Sequence, residues 1–132
     1  MINDINWKQR FSNFEKSLKL IKDHKDKSNP DVVDNAAIIH FFEITFELSW
    51  KLLKDYLTDE GFSDINSPRE AIKKAFEYGL ISDGRVWMNA LETRNLTVHT
   101  YDESKAEETA ENIRTKYFAM FIELYEKLME KM

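Results

Sequence analysis

The sequence predicts an all-α protein, an up-and-down four-helix bundle with one extra short helix, and three observations carry that prediction. Apolar residues recur at spacings of three and four through five segments, and no stretch alternates polar and apolar residues as a strand would. Three Gly and two Pro in 132 residues are too few for the many tight turns of a sandwich or barrel. Nine Phe, five Tyr and three Trp supply enough large apolar surface to fill a core. The length suits one domain, expected over residues 1–132.

The first helix is expected over residues 6–25, where Trp7, Phe11, Phe14, Leu18 and Ile21 form one stripe and Lys16, Lys19, Lys22 and Lys25 a solvated face. Lys27-Ser28-Asn29-Pro30 breaks it. Asn29 is the expected cap of the next helix, with Pro30 at its first position, where the missing N–H costs nothing. That second helix, residues 30–60, carries two adjacent stripes, Ile39, Phe42, Phe46, Ser49, Leu53 and Ile38, Phe41, Thr45, Leu48, Leu52, with Trp50 and Tyr56 widening the apolar arc. A surface helix of a monomer needs only one stripe, so this helix either packs on several sides or also meets a partner, and a homodimer is one expectation.

Ser67 with Glu70 three residues on is a capping box that opens a short third helix, with Pro68 at its first position and Gly79 as its end. Ser82-Asp83-Gly84 reads as a turn, and a fourth helix is expected over residues 85–98 with Val86, Trp87, Ala90 and Leu91 buried. Tyr101-Asp102-Glu103-Ser104 interrupts the pattern. Ser104 with Glu107 is a second capping box, Asp102 an alternative cap, and a fifth helix to the C-terminus buries Ala110, Ile113, Tyr117, Phe121, Leu124 and Leu128.

Composition narrows the function classes. Hydrophobic residues make up 42% and charged residues 33%, as in ordinary soluble helical domains. A net charge of −5 argues against broad coating of nucleic acid, which depends on neutralising phosphates with Lys and Arg, but leaves room for a small basic site. The absence of Cys excludes disulfides and thiol chemistry. Met1-Ile2-Asn3-Asp4-Ile5-Asn6 has no basic run followed by an apolar one, so neither a signal peptide nor a membrane span is expected, and the expected location is cytoplasmic.

The stretch that folding does not explain is Arg94-Asn95-Leu96-Thr97-Val98-His99-Thr100-Tyr101. Five residues of regular helix turn ~500°, so Arg94 and His99 would lie about 140° apart on a continuing helix; His99 is therefore expected at or past the helix end, where both side chains can converge. Asn95 and His99, four apart, can touch, and the amide could fix the imidazole in one tautomer. Metal-free RNA cleavage needs a base for the 2′-hydroxyl, an acid for the leaving 5′-oxygen and a cation for the developing charge. One copy of the motif offers one titratable group and one cation; two copies across a two-fold axis make a full set. The alternative is structural, with Arg94 paired to Glu92 or Asp102, His99 ending a helix, and Tyr101 stapled against Ala106 ahead of an Asp102 cap.

Other constellations carry less. His40 with Glu43 and Glu47 reverses the Glu-x-x-His order of di-iron bundles and has no second pair, so no metal is expected, and Glu47 is assigned to an i,i+4 ion pair with Lys51. His24, among lysines, reads as solvated, and without a phosphate loop or nucleophile motif no cofactor is expected.

Three blocks in order resemble the nucleotidyltransferase substrate-binding proteins of the HEPN superfamily. They are Phe42-Glu43-Ile44-Thr45-Phe46-Glu47-Leu48-Ser49-Trp50-Lys51; Ser67-Pro68-Arg69-Glu70 followed by Ala75-Phe76 and Gly79-Leu80-Ile81; and Trp87-Met88 through Arg94-Asn95-Leu96-Thr97-Val98-His99-Thr100-Tyr101-Asp102-Glu103, which holds that superfamily's Arg-x4-His-x-Tyr signature. The resemblance implies a HEPN-like bundle that forms a two-fold dimer, with a minimal nucleotidyltransferase as partner. In the toxin–antitoxin branch it implies a metal-independent ribonuclease silenced by that partner, in some members by attachment of AMP to the motif tyrosine. Carried over, Arg94 is the phosphate-binding cation, Asn95 the orienting residue, His99 the acid/base and Tyr101 the AMP acceptor. The alternative implied by the same family is a non-catalytic subunit that presents a substrate to the nucleotidyltransferase.

Overall fold

A computed structural model describes residues 7–96 and 102–132. Its helices are α1 (Trp7–His24), α2 (Val32–Asp59), α3 (Pro68–Tyr78), α4 (Gly84–Asn95), α5 (Glu103–Asn112) and α6 (Phe118–Met129), with a π-turn at Ile113–Tyr117 joining the last two into one continuous rod. No strand occurs among the described residues, and no helix there is long and apolar enough to cross a membrane.

Neighbouring rings give the topology. The start of α1 lies at the end of α2, through Trp7 and Tyr56 (5.3 Å between ring centroids), and its end lies at the start of α2, through His24 and Phe41 (5.3 Å), so the two run antiparallel. α4 opposes the C-terminal rod in the same way, with Trp87 at Phe121 and Thr93 at Tyr117. α1, α2, α4 and the α5–α6 rod thus form the up-and-down bundle, and short α3 packs against α2 and α4.

Every stripe residue expected in α1 is buried, as are Ile38, Ile39, Phe42, Phe46, Leu52 and Leu53 of α2 and Trp87, Ala90 and Leu91 of α4. Phe41, Leu48, Trp50 and Val86 are only half-buried. The hydroxyls of Thr45 and Ser49, which sit in the buried stripes, donate to their own helix at the carbonyls of Phe41 (2.7 Å) and Phe46 (2.8 Å), which satisfies them without a distant partner.

One cap differs from expectation, and at another the structure selects between the two stated alternatives. α2 is capped by Asp31 and not by Asn29: the Asp34 N–H donates to Asp31 Oδ1 and the Asp31 N–H to Asp34 Oδ2, both at 2.8 Å. This reciprocal box places two carboxylates at the positive end of the helix, which one Asn amide cannot match. Asn29 instead takes a left-handed conformation in the turn (φ 50°), which Asn tolerates better than most residues. The Asp31 N–H, followed by Lys27, holds the Asp34 carboxyl below the ordinary carboxylate range. At α5 the cap is Asp102, whose Oδ1 accepts from the N–H groups of Ser104 (3.0 Å) and Lys105 (3.2 Å); Ser104 lies inside the helix.

The α3 start and stop signals hold, although Glu70 Oε1 accepts from the Asn66 N–H (2.8 Å) and not from the Ser67 N–H that would complete the box. Ser67 Oγ accepts the Glu70 N–H at 3.2 Å, and Gly79 ends the helix in the left-handed region (φ 83°) while Leu80 N–H reaches back to the Ala75 carbonyl at 2.8 Å. A Cβ on Gly79 would meet nothing within 4 Å, so Gly79→Ala carries only the backbone cost of the left-handed conformation. A loss of about 1 kcal/mol is expected in denaturant unfolding, with Gly79→Asn losing less. Equal stability of the Ala variant would show that the helix can end without this conformation.

Candidate functional site

The candidate site is built where the end of α4 meets the middle of α2. Asp83 caps α4 by accepting the Val86 N–H at 3.1 Å. Trp87, Ala90 and Leu91 bury one side of α4, and that fixes the direction in which its last turn points. The helix ends at Asn95, with the Leu96 N–H donating to the carbonyls of Glu92 (3.2 Å) and Thr93 (3.0 Å). Asn95, the second carried-over residue, is thus the last helical position before the motif histidine.

Arg94 points from this last turn onto α2. Its Nη2 donates to Glu47 Oε2 at 2.7 Å, its Nη1 donates to Asn95 Oδ1 at 3.0 Å, and its guanidinium carbon sits 5.7 Å from the centre of the Phe46 ring. The planar guanidinium suits both jobs, a fork toward a carboxylate and a flat face over an aromatic ring. Glu47 is itself held, since its Oε1 accepts the Trp50 indole N–H at 2.9 Å and lies 3.9 Å from Lys51 Nζ. Arg94 is 29% exposed and Glu47 42%. An ion pair so open to water contributes at most about 1 kcal/mol to stability; its larger effect is to fix where the cation stands. Glu47 also neutralises most of that charge, so an arriving anion must share Arg94 with it or displace it.

These contacts bear on two sequence-based assignments: the Glu47–Lys51 pair forms, at 3.9 Å, and the expected local partner of Arg94 is corrected. Glu47 pairs chiefly with Arg94 and only loosely with Lys51. Arg94, in turn, finds its carboxylate 47 positions away and not in Glu92 or Asp102. Helical spacing reports neighbours three and four apart and cannot register a partner on another helix. A weaker signal was present: apart from His40, Glu43 and Glu47 are the sole ionisable side chains between Asp34 and Lys51 of an otherwise apolar helix. The Asn95 amide oxygen, expected near His99, holds Arg94. His99 and Tyr101 lie outside the described residues. Thr93 was not singled out by sequence; its Oγ1 shares a 3.0 Å hydrogen bond with the Tyr117 hydroxyl.

Among the described residues, the histidines lie apart from Arg94. His40 Nδ1 stands 4.0 Å from Glu43 on exposed α2 surface, and His24 Nδ1 is 2.8 Å from the carbonyl of Leu20 in its own helix. Among the described residues no three His, Asp or Glu side chains gather as a metal ion would require.

Known proteins share this fold. The sequence profile of the family described as nucleotidyltransferase substrate binding protein like matches residues 9–130. A protein of Haemophilus influenzae named probable ribonuclease HepT is 34% identical over 84 residues, a stretch that spans 58% of this chain and 58% of the length of that relative. A crystal structure from Thermus thermophilus superposes with a TM-score of 0.75 at 32% identity, covering 89% of this chain and 97% of the other. A solved structure from H. influenzae, described as revealing the fold of a substrate binding domain of a nucleotidyltransferase, superposes with a TM-score of 0.67 at 29% identity over 93% of this chain and 96% of its own. With the profile spanning nearly the whole chain and the bundle in common, this protein belongs to the nucleotidyltransferase substrate-binding family, with its HEPN-like helical fold.

Proposed function

We propose that the protein is the ribonuclease half of a toxin–antitoxin pair: a homodimer that cleaves RNA without metal through Arg94 and His99 and is regulated by a minimal nucleotidyltransferase. The observation that carries the reading is the seating of Arg94. A cation held in place by Glu47, Asn95 and the Phe46 ring at the last turn of α4 offers a fixed positive group that a phosphate would share with Glu47 or take from it. His99 follows five residues later in the chain. Two such motifs across a two-fold axis would supply acid, base and two cations. Asn95 acts beside Arg94 in steadying the site. Tyr101 is the AMP acceptor; a phosphodiester there adds negative charge and bulk where the scissile phosphate must enter. The kinship to a probable ribonuclease HepT supports the nuclease reading, and the family description supports the nucleotidyltransferase partner.

A second reading is a non-catalytic subunit that docks the nucleotidyltransferase and shapes its substrate site. It is favoured by the Glu47 contact, which leaves Arg94 largely neutralised and thus less able to attract a phosphate.

Purified protein incubated with transfer and messenger RNA in excess EDTA, wild type beside His99→Ala, separates the two. Cleavage by wild type alone establishes a metal-independent ribonuclease and assigns His99 to it. Intact RNA with both proteins, each dimeric and unmodified at Tyr101 by mass spectrometry, transfers the assignment to the docking subunit.

A further inference from the structure

The C-terminal rod contains one turn its neighbours do not need. At Ile113–Tyr117 the helix widens, and the Phe118 N–H donates to the carbonyl of Ile113, five residues back. Such π-turns are rare, occur mostly as single turns inside α-helices, and are frequent at functional sites. Here the wide turn aims two polar groups across the bundle. Arg114 Nη2 donates to Asn35 Oδ1 (2.9 Å) at the start of α2. Tyr117 lays its ring on Phe42 (5.4 Å between centroids, 29° between planes) and brings its hydroxyl 3.0 Å from Thr93 Oγ1 on α4.

The Tyr117 side of this contact is buried, while Thr93 is half-buried. Tyr117 is 4% exposed, and Phe42, Ala90, Ile113 and Phe121 are fully buried. Burying the Tyr117 hydroxyl costs free energy unless it is bonded, and Thr93 Oγ1 supplies the partner. The consequence falls on the next residue along, Arg94. Beyond Leu91, α4 has no buried apolar side chain to hold it down, and Leu96 is exposed. A helix end with little buried surface frays readily. The last turn is tied to the bundle at Thr93 by Tyr117 and at Arg94 by Glu47.

We infer that Tyr117 is a positioning residue: presented by the π-turn, its hydroxyl pins the last turn of α4 through Thr93 and so fixes Arg94 against Glu47 and Phe46. The effect on Arg94 is a matter of the fold alone. Its effect on catalysis rests on the ribonuclease reading above.

The full-length protein, ¹⁵N-labelled, would be compared as wild type, Tyr117→Phe, Thr93→Val and Thr93→Ser. The readouts are the Arg94 guanidinium NMR resonance (assigned by its loss in Arg94→Lys), the thermal midpoint, and RNA cleavage. Tyr117→Phe keeps the ring and its stacking on Phe42, so the midpoint should move little. The Arg94 resonance should shift or broaden in Tyr117→Phe and in Thr93→Val, and return toward wild type in Thr93→Ser, which restores a hydroxyl. In a cleaving wild type, both hydroxyl-deleting variants should lose about tenfold or more in kcat with a smaller change in KM, as expected for a displaced cation. An Arg94 resonance identical in wild type, Tyr117→Phe and Thr93→Val would overturn the inference whatever the RNA result, and an unchanged kcat beside a shifted resonance would overturn its catalytic consequence. If Tyr117→Phe fails to fold, Thr93→Val decides. If wild type leaves RNA intact, the ribonuclease reading falls and the resonance alone decides this one.

Discussion

Arg94→Ala is expected to reduce RNA cleavage by about 10²–10³-fold or more, the usual cost of removing one group that stabilises charge developing in a transition state. The bundle should stay folded. The lost ion pair is open to water on both sides, at 29% and 42% exposure, which limits its share of stability to about 1 kcal/mol. Glu47 is not stranded either, because the Trp50 indole still donates to it and Lys51 stands near. The two consequences therefore separate: a large loss of activity with a small shift in unfolding. Cleavage assays beside thermal melts would show this. A variant that melts like wild type and cuts RNA at the wild-type rate would sink the phosphate-binding role, and one that collapses would show that Arg94 belongs to the fold. Glu47→Gln is the informative companion. It keeps an oxygen for Trp50 and removes the charge that competes for Arg94, so weakened cleavage would mean Glu47 matters as a brace, and stronger cleavage would mean it matters as a competitor.

Phe42→Ala is expected to cost about 3–5 kcal/mol in denaturant unfolding, the range for emptying a buried aromatic site. Phe42 has no exposed surface and is ringed by Tyr117 (5.4 Å), Phe46 (6.1 Å) and Phe121 (6.1 Å). It joins α2 to the C-terminal rod at the π-turn, so neighbouring helices cannot close the cavity without moving Tyr117 away from Thr93. Against a typical total of about 5–15 kcal/mol, such a loss puts the variant near the edge of folding. A cost below about 1.5 kcal/mol would mean that the rings repack around the gap and that this cluster is softer than its burial indicates.

The helices were legible for a plain reason. The apolar residues of α1 recur at three and four, and a helix that must bury one face has few other ways to use them. Ser67, Pro68 and Gly79 mark the ends of α3 through hydrogen bonds within a few residues of themselves, so the signal is local. The misjudged Asn29 cap, and the choice between Ser104 and Asp102, show the limit of such signals. Asn29-Pro30 and Ser104 are acceptable starts, but Asp31 with Asp34 and the lone Asp102 bind the free N–H groups more strongly. The π-turn left no trace in the pattern, because Ile113, Tyr117 and Phe121 keep a spacing of four that regular helix also accepts.

What this amino-acid sequence determined by itself was the class of fold and much of its core, and it marked a segment in which function is expected. All three follow from short-range regularities: a period near 3.6, capping chemistry, and polar residue types that packing does not require. Only the tertiary structure decided the surroundings of Arg94. Glu47, Phe46 and, through Thr93, Tyr117 reach it from positions 47, 48 and 23 residues away along the chain, and a contact between helices depends on how the whole bundle closes, which no local spacing encodes.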